Sequence, residues 1–255
     1  MTRAFSYKFD LIVHLVWRDF LLRYKKSALG VLWSLLPPLA QLLILVFLFR
    51  RVVPLNIDAY PAFVFSALLP WIWFSSCLSS AGTLFISNRD LVRRPNFVPS
   101  TLITVNTLSN LIHYLFFLPI LFIILALYDR SMTLSLLLLP LLLLVHSVLI
   151  AGLSLIISTL NVFYRDVQYM VNVGLMLLFY LTPVFYQVEA IPSKYRVLYT
   201  FNPMAVLVQS YRKILFYGVA PEWGLLLFTG LISVVMLGGG YLIYSRQLSK
   251  VMDMI

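Results

Sequence analysis

The side chains able to do acid–base, nucleophilic or metal chemistry here are few, and their spacing assembles none of the familiar devices. All nine carboxylates (Asp10, Asp19, Asp58, Asp90, Asp129, Asp166, Glu189, Glu222 and Asp253) fall outside the long apolar stretches. Ion-driven carriers usually keep an ionisable group at mid-membrane, where it is expensive and therefore functional. Only His113 and His146 lie within apolar stretches, and each reads as a buried neutral histidine bonded to a neighbouring helix. Ion-coupled transport is therefore disfavoured. No GxxxxGK[ST] loop is present to cradle ATP phosphates. HExxH, metal-spaced Cys/His clusters and GxSxG are missing too, so the sequence nominates no catalytic residue and no metal ligand. Cys77, the single cysteine, permits no internal disulfide and reads as packing. If work is done on a substrate here, the energy must come from another chain.

The elements that must carry this chemistry lie in a membrane. Of 255 residues, 62% are hydrophobic and 11% charged, with mean hydropathy +0.95, against about 25% charged in ordinary soluble domains. A soluble fold, a disordered chain and a secreted disulfide scaffold are excluded. The formal charge of +10 reads as topology signals and contact with anionic lipid headgroups. Nucleic acid is not an expected partner, because no basic domain lies outside the bilayer.

A helical span needs about 20 predominantly apolar residues. Six windows qualify: Val31–Phe49, Pro61–Leu84, Thr104–Leu127, Met132–Leu160, Val167–Tyr186 and Trp223–Tyr244. The expected fold is an all-α integral membrane protein with six transmembrane helices. Lys and Arg set its orientation. With the N-terminus inside, that face holds 12 of them, including Arg3, Lys25, Lys26, Arg93 and Arg246, against 7 outside, with Arg50-Arg51 dissenting. Both termini are therefore expected in the cytoplasm.

Residues 1–30 are expected to include a cytoplasmic interface helix. Phe5, Phe9, Ile12, Val13, Val16 and Phe20 share one helical face, and Arg3, Asp10, His14 and Arg18 the other, the pattern of a helix lying in the membrane surface. Residues 31–186 carry spans one to five, and 223–255 span six and a cytoplasmic tail. Between them, 187–222 is too apolar for a solvated loop, yet Asn202-Pro203, Gln209, Arg212 and Lys213 interrupt it. Two short helices that dip into the outer leaflet and turn back fit that pattern. Such backbone survives at membrane depth only when protein or a water-lined cavity covers it, which suggests a conduit.

The loop from Ser87 to Pro99 carries Arg89, Asp90, Arg93 and Arg94, with Asn88 placed as an N-cap and Pro95 as a stop. Spacing alone leaves a positive-inside loop and a docking helix both open. Tyr164-Arg165-Asp166, in the second inner loop, reads either as a second contact or as a topology arginine beside a neighbouring aspartate. Ser75, Ser76, Ser79, Ser80, Ala81 and Gly82, Ser154 with Ser158, and Gly238–Gly240 are small-residue faces that let helix backbones approach, within one subunit or between two.

These segments carry a family resemblance over nearly the whole chain. Trp17-Arg18-Asp19, Arg23-Tyr24, Ser27, Leu29-Gly30, Trp33 and Pro37 lead into the first span. Pro70-Trp71-Ile72-Trp73-Phe74-Ser75, Asn88 to Pro99, and Asn161 to Asp166 follow in order. Thr182-Pro183-Val184-Phe185-Tyr186, Ile191-Pro192 and Asn202-Pro203 complete the pattern. Together they resemble the transmembrane subunit of ABC-2 type polysaccharide exporters, the permeases for O-antigen, teichoic acid and capsular chains. Val98 departs from the pattern by separating Phe97 from Pro99.

The resemblance implies a homodimer in the bacterial inner membrane, driven by two copies of an ABC ATPase that bind the ATP and Mg. It implies docking through Asn88, Asp90, Arg93 and Arg94, with Tyr164, Arg165 and Asp166 as a second contact. The helix bearing Trp17, Arg18, Arg23 and Tyr24 would flank the cytoplasmic mouth. For the passage of a lipid-linked polysaccharide, the aromatics Trp71, Trp73, Phe74, Phe185 and Tyr186 are the expected conduit, since sugar CH faces stack on rings without fixing a register. An interfacial aromatic belt is the simpler reading for most individual rings. Alternatives are an ABC-2 exporter of a drug or lipid, and an ion-coupled secondary transporter.

Overall fold

The computed structural model describes residues 2–25, 32–130 and 133–254, without the side chains of residues 2–8, 23, 24, 32 and 198. Residues 26–31, with Ser27 and Gly30 of the motif, lie outside the described part, as do the side chains of Arg23 and Tyr24. All regular elements among the described residues are helical: α1 (Thr2–Tyr24), α2 (Leu32–Phe47), α3 (Tyr60–Ala81), α4 (Leu84–Ser87), α5 (Arg89–Val92), α6 (Thr101–Leu127), α7 (Leu139–Phe163), α8 (Val167–Leu181), α9 (Ser193–Phe201), α10 (Pro203–Arg212) and α11 (Trp223–Met254). Hydrocarbon offers backbone groups no partner, so a spanning chain must satisfy them within its own helix. Prolines inside α2 (Pro37, Pro38), α3 (Pro70) and α6 (Pro119) are tolerated because neighbouring elements can meet the freed carbonyls.

Among the described residues, five helices are long and apolar enough to cross a membrane. The fifth expected span, Val167–Tyr186, is helical only to Leu181. Its 15 residues rise about 22 Å, short of a hydrocarbon core of about 30 Å. The helix stops where Thr182, extended at φ −105° and ψ 132°, precedes Pro183, a position that disfavours helical backbone. The last helix runs past the expected Tyr244 to Met254.

Helix α3 is the hub. Of its most apolar window, 78% is buried, against 11% for the first span, and it contacts α2, α6, α7, α8 and α10. Helices α7 and α11 form the most extensive pair, crossing where a Cβ on Gly240 would stand 2.5 Å from the Gly152 carbonyl oxygen. Gly240 therefore serves packing within the subunit, whereas Gly238 and Gly239 face open space.

The connections sort to two ends of the bundle. At one end, called inner after the orientation expected from the charge pattern, the Arg18 guanidinium donates to Asn88 Oδ1 at 3.4 Å, and Val251 of α11 joins Val92 and Leu102 in one apolar cluster. At the outer end, Tyr60 Oη donates to the Phe185 carbonyl at 2.9 Å, and Thr133 and Ser135 donate to the carbonyls of Gly218 and Ile214. The 187–222 segment contains two short helices, α9 and α10. Asn202 Oδ1 caps α10 by accepting from Met204 N and Ala205 N.

Helix α1 differs from the expected apolar face. It packs along α6 through Leu15, with Phe20 against His113 and Phe116, while Phe9, Val13 and Trp17 point away. Contact with a neighbouring span has replaced part of the expected membrane contact.

Candidate functional site

The inner surface is built on anchors. Phe85 and Val92 are fully buried beside Leu102, Ile103, Leu155 and Tyr244, and the Ser100 amide donates to Tyr244 Oη at 3.3 Å. Between those anchors α5 is a single turn, and Arg89, Asp90, Arg93 and Arg94 project into solvent. Asn88 occupies the N-cap position, but its side chain does not cap. It donates to the Leu84 carbonyl at 2.9 Å and accepts from Arg18, tying together α1 and the first inner loop, two segments nominated separately.

Tyr164, Arg165 and Asp166 form the exposed second loop, with Tyr164 68% open. Asn161, 3% exposed, holds that loop. Its Nδ2 donates to the Gly82 carbonyl at 2.9 Å, and its Oδ1 accepts from Gln168 N at 2.9 Å. Ser158 adds a bond to the Ala81 carbonyl at 2.7 Å. The Ser154 and Ser158 face therefore packs inside the subunit, and both loops are fastened to the end of α3.

Above them runs a largely polar groove of about 570 Å³, lined by Ser75, Ser76, Ser79 and Ser80 of α3, Asn110 of α6, and Asn172 and Leu175 of α8. Ser79 Oγ donates to Asn172 Oδ1 at 2.9 Å, and Ser80 Oγ to Asn106 Oδ1 at 3.0 Å. Asn110 Nδ2 donates to the Asn106 carbonyl at 2.9 Å. Sequence reasoning nominated the serines only as a packing face. It missed the asparagines, because their convergence depends on how three helices pack.

The expected conduit aromatics divide. Trp71, Trp73 and Phe74 lie inside the subunit's own packing. Trp73 is 2% exposed, donates from Nε1 to the Thr107 carbonyl at 3.2 Å, and meets His146 edge-on at 4.5 Å. Its ring has no open face to offer a sugar, which corrects its place as leading guide. His146 approaches Tyr211 Oη of α10 at 3.4 Å, across to another element as expected. His113 instead uses the Ser109 carbonyl of its own helix, at 2.7 Å.

Phe185 and Tyr186 are partly open and sit in the outer aromatic cluster. Phe185 stacks on Phe49 at 5.2 Å. Tyr186 Oη approaches Tyr199 Oη at 3.0 Å.

Arg212, read from sequence as one of several outer cations, is 1% exposed. Its Nη2 donates to the carbonyls of Pro183 and Val184, each at 2.8 Å, and its guanidinium lies 3.8 Å above the Phe63 ring. Burial pulls its pKa below the ordinary arginine value, yet it remains a cation at neutral pH. The guanidinium clamps the Thr182–Tyr186 turn onto α10 and α3. Nothing in the sequence distinguished it from Lys213, which pairs with Glu222 at 2.5 Å on the surface.

The arrangement is a rigid charged inner surface, a polar uncharged groove above it and an aromatic, clamped outer end. Comparison with known proteins agrees with such a transporter. The chain is 35% identical over 234 residues to the O-antigen export system permease protein RfbA of Klebsiella pneumoniae, covering 91% of this chain and 90% of that one. It is 32% identical over 239 residues to the RfbA permease of Myxococcus xanthus, covering 93% and 92%. It is 25% identical over 236 residues to the polysialic acid transport protein KpsM of Escherichia coli, covering 90% of each. The profile of the ABC-2 type transporter family matches residues 10–216, and the chain, a multi-pass integral membrane protein, belongs to that family.

Proposed function

We propose that this protein is the membrane permease of an ABC exporter that moves a lipid-linked polysaccharide from the cytoplasmic to the outer face of the bacterial inner membrane. One observation carries the coupling part of this reading: Arg89, Arg93 and Arg94 stand in solvent on a turn whose apolar residues are locked among three spans. A force applied there reaches α6, α7 and α11 without being lost in a flexible loop. The permease role of the relatives supports the substrate class.

In this reading two copies of an ABC ATPase, which hold the ATP and Mg, dock on Asn88–Arg94 and the Tyr164–Asp166 loop of a homodimer. Both termini are cytoplasmic. Helix α8, continued by the extended Thr182–Tyr186 turn, makes the fifth of six crossings, and α9 and α10 re-enter from outside. Helix α1, with Trp17, Arg18, Arg23 and Tyr24, flanks the cytoplasmic mouth. Phe185 and Tyr186 meet the polymer near its exit.

Reversing charge at both Arg93 and Arg94 (R93E/R94E) tests the docking surface. The expected result is weakened co-purification of the ATPase and loss of polymer export, with membrane insertion intact. An undiminished complex with undiminished export would remove the docking assignment.

A further inference from the structure

We propose that the groove on α3, α6 and α8 is a subsite for uncharged sugar residues of the transported chain. The inference rests on the reading of the protein as a polysaccharide permease, and it assigns the groove a ligand by its chemistry.

Ser75, Ser76, Ser79 and Asn110 belong to helices long and apolar enough to cross the membrane, and Ser76 and Ser79 are exposed on the subunit surface. Ser75, Ser79 and Ser80 donate within the subunit, but hydrocarbon supplies no donor to their hydroxyl lone pairs and no partner to the exposed Ser76, a costly setting for polar groups. The groove therefore faces water, a polar ligand or both. The Tyr169, Met170, Val173 and Met176 face of α8 is exposed and apolar, as a lipid or subunit contact is.

A serine hydroxyl and a carboxamide each donate and accept, which matches the hydroxyls of a neutral sugar in any orientation. Among the described residues the lining contains no Lys, Arg, Asp or Glu, and neutral hydrogen bonds hold one ring only weakly. Movement along a path requires sites that bind weakly and repeatedly.

Along α3, Ser75 with Ser79 and Ser76 with Ser80 are each four residues apart, while α6 and α8 lend the groove Asn110 and Asn172. Helix α3 therefore repeats its hydroxyls about every 6 Å along its axis, on the scale of one sugar ring. A polymer advancing by one ring meets an equivalent pair of hydroxyls. The groove volume, about 570 Å³, accommodates a sugar ring with its water. Ser76 and Asn110 also line, with Trp73 and His113, a small cavity of about 30 Å³.

The test uses the full complex in native membranes. Ser76→Cys and Ser79→Cys are introduced singly into a Cys77→Ala background, with Cys77→Ser as a second background should the first fold poorly. Each is treated with a positively charged thiosulfonate reagent. Both positions are expected to react, more slowly when polymer is loaded, and the bulky adduct should cut export by about tenfold or more with ATPase co-purification unchanged. Met176→Cys, on the apolar face of α8, should not react. Unreactive thiols at 76 and 79 would mean a dry groove filled by a second subunit or lipid, and labelling without loss of export would mean a wet groove off the polymer's path. Either overturns the inference while leaving the permease reading intact. A background variant that binds its ATPase but exports no polysaccharide, as the unsubstituted protein also fails to do, would overturn the permease reading and the groove with it.

Discussion

The two halves of α3 contrast in what they present. Toward the inner end, Ser75, Ser76, Ser79 and Ser80 open onto a groove completed by asparagines from α6 and α8. Toward the outer end, Tyr60, Phe63 and Phe65 are buried, covered in part by α10 and the Arg212 clamp. One helix therefore supplies a wet surface and a dry one, with Trp73 near the change. Polarity without charge keeps the inner half open to exchangeable hydrogen bonds. The outer half is closed by aromatic packing and one buried cation, whose remaining donors, Nε and Nη1, have no hydrogen-bond partner. A buried charge without a carboxylate is costly, so the outer turn is held by a contact that is strong while its carbonyls are in place and unfavourable once they leave.

Four measurements would break or sharpen that contrast. The largest effect belongs to the frame both halves share. Gly152→Val puts side-chain atoms where even a Cβ would lie 2.5 Å from Leu237 N, backbone that cannot step aside. A loss of upward of about 4 kcal/mol is expected, seen as failure to recover folded protein from detergent; normal yield would show that α7 and α11 can separate without consequence.

Arg212→Ala comes next. It strands the Pro183 and Val184 carbonyls and empties the space over Phe63, for an expected cost of about 3–5 kcal/mol. Hydrogen exchange should rise across residues 182–190 and stay unchanged at Asn161. Arg212→Met, which keeps volume and removes the charge, should recover much of the loss. Equal exchange increases at both ends would mean that the halves are not independent.

Asn161→Ala acts on the inner half. Losing bonds to Gly82 and from Gln168 should cost about 1–3 kcal/mol and weaken ATPase co-purification without loosening the outer turn. The smallest effect is expected for Tyr211→Phe, because the 3.4 Å approach to His146 is long; a cost under about 1 kcal/mol in thermal unfolding would confirm that packing, not this bond, seats α10.

Much of the fold is legible in the sequence because hydrocarbon leaves few options. Long apolar runs must be helices, and α2, α3, α6, α7 and α11 fall where the runs are. Asn202-Pro203 announces the break between α9 and α10, since proline cannot continue a helix but can start one. The end of α8 is less legible: Thr182 to Tyr186 is apolar enough to extend a span, and only the backbone restriction before Pro183 argues against it.

The candidate site is less legible, for a consistent reason. Composition fixed the solvent, the helical class and the absence of a P-loop in these 255 residues, and motif order fixed the resemblance, because these depend on the chain alone. Which face of α3 would be wet depended on α6 and α8 bringing Asn110 and Asn172 beside its serines. Whether Trp73 guided a polymer or filled a core depended on Tyr114 and His146 arriving around it. Arg212 and Lys213 are neighbours of the same charge, and the tertiary structure buried one and left the other on the surface. A helix repeats every 3.6 residues, so adjacent residues point about 100° apart, and only the position of the neighbouring helices decides which direction is inward.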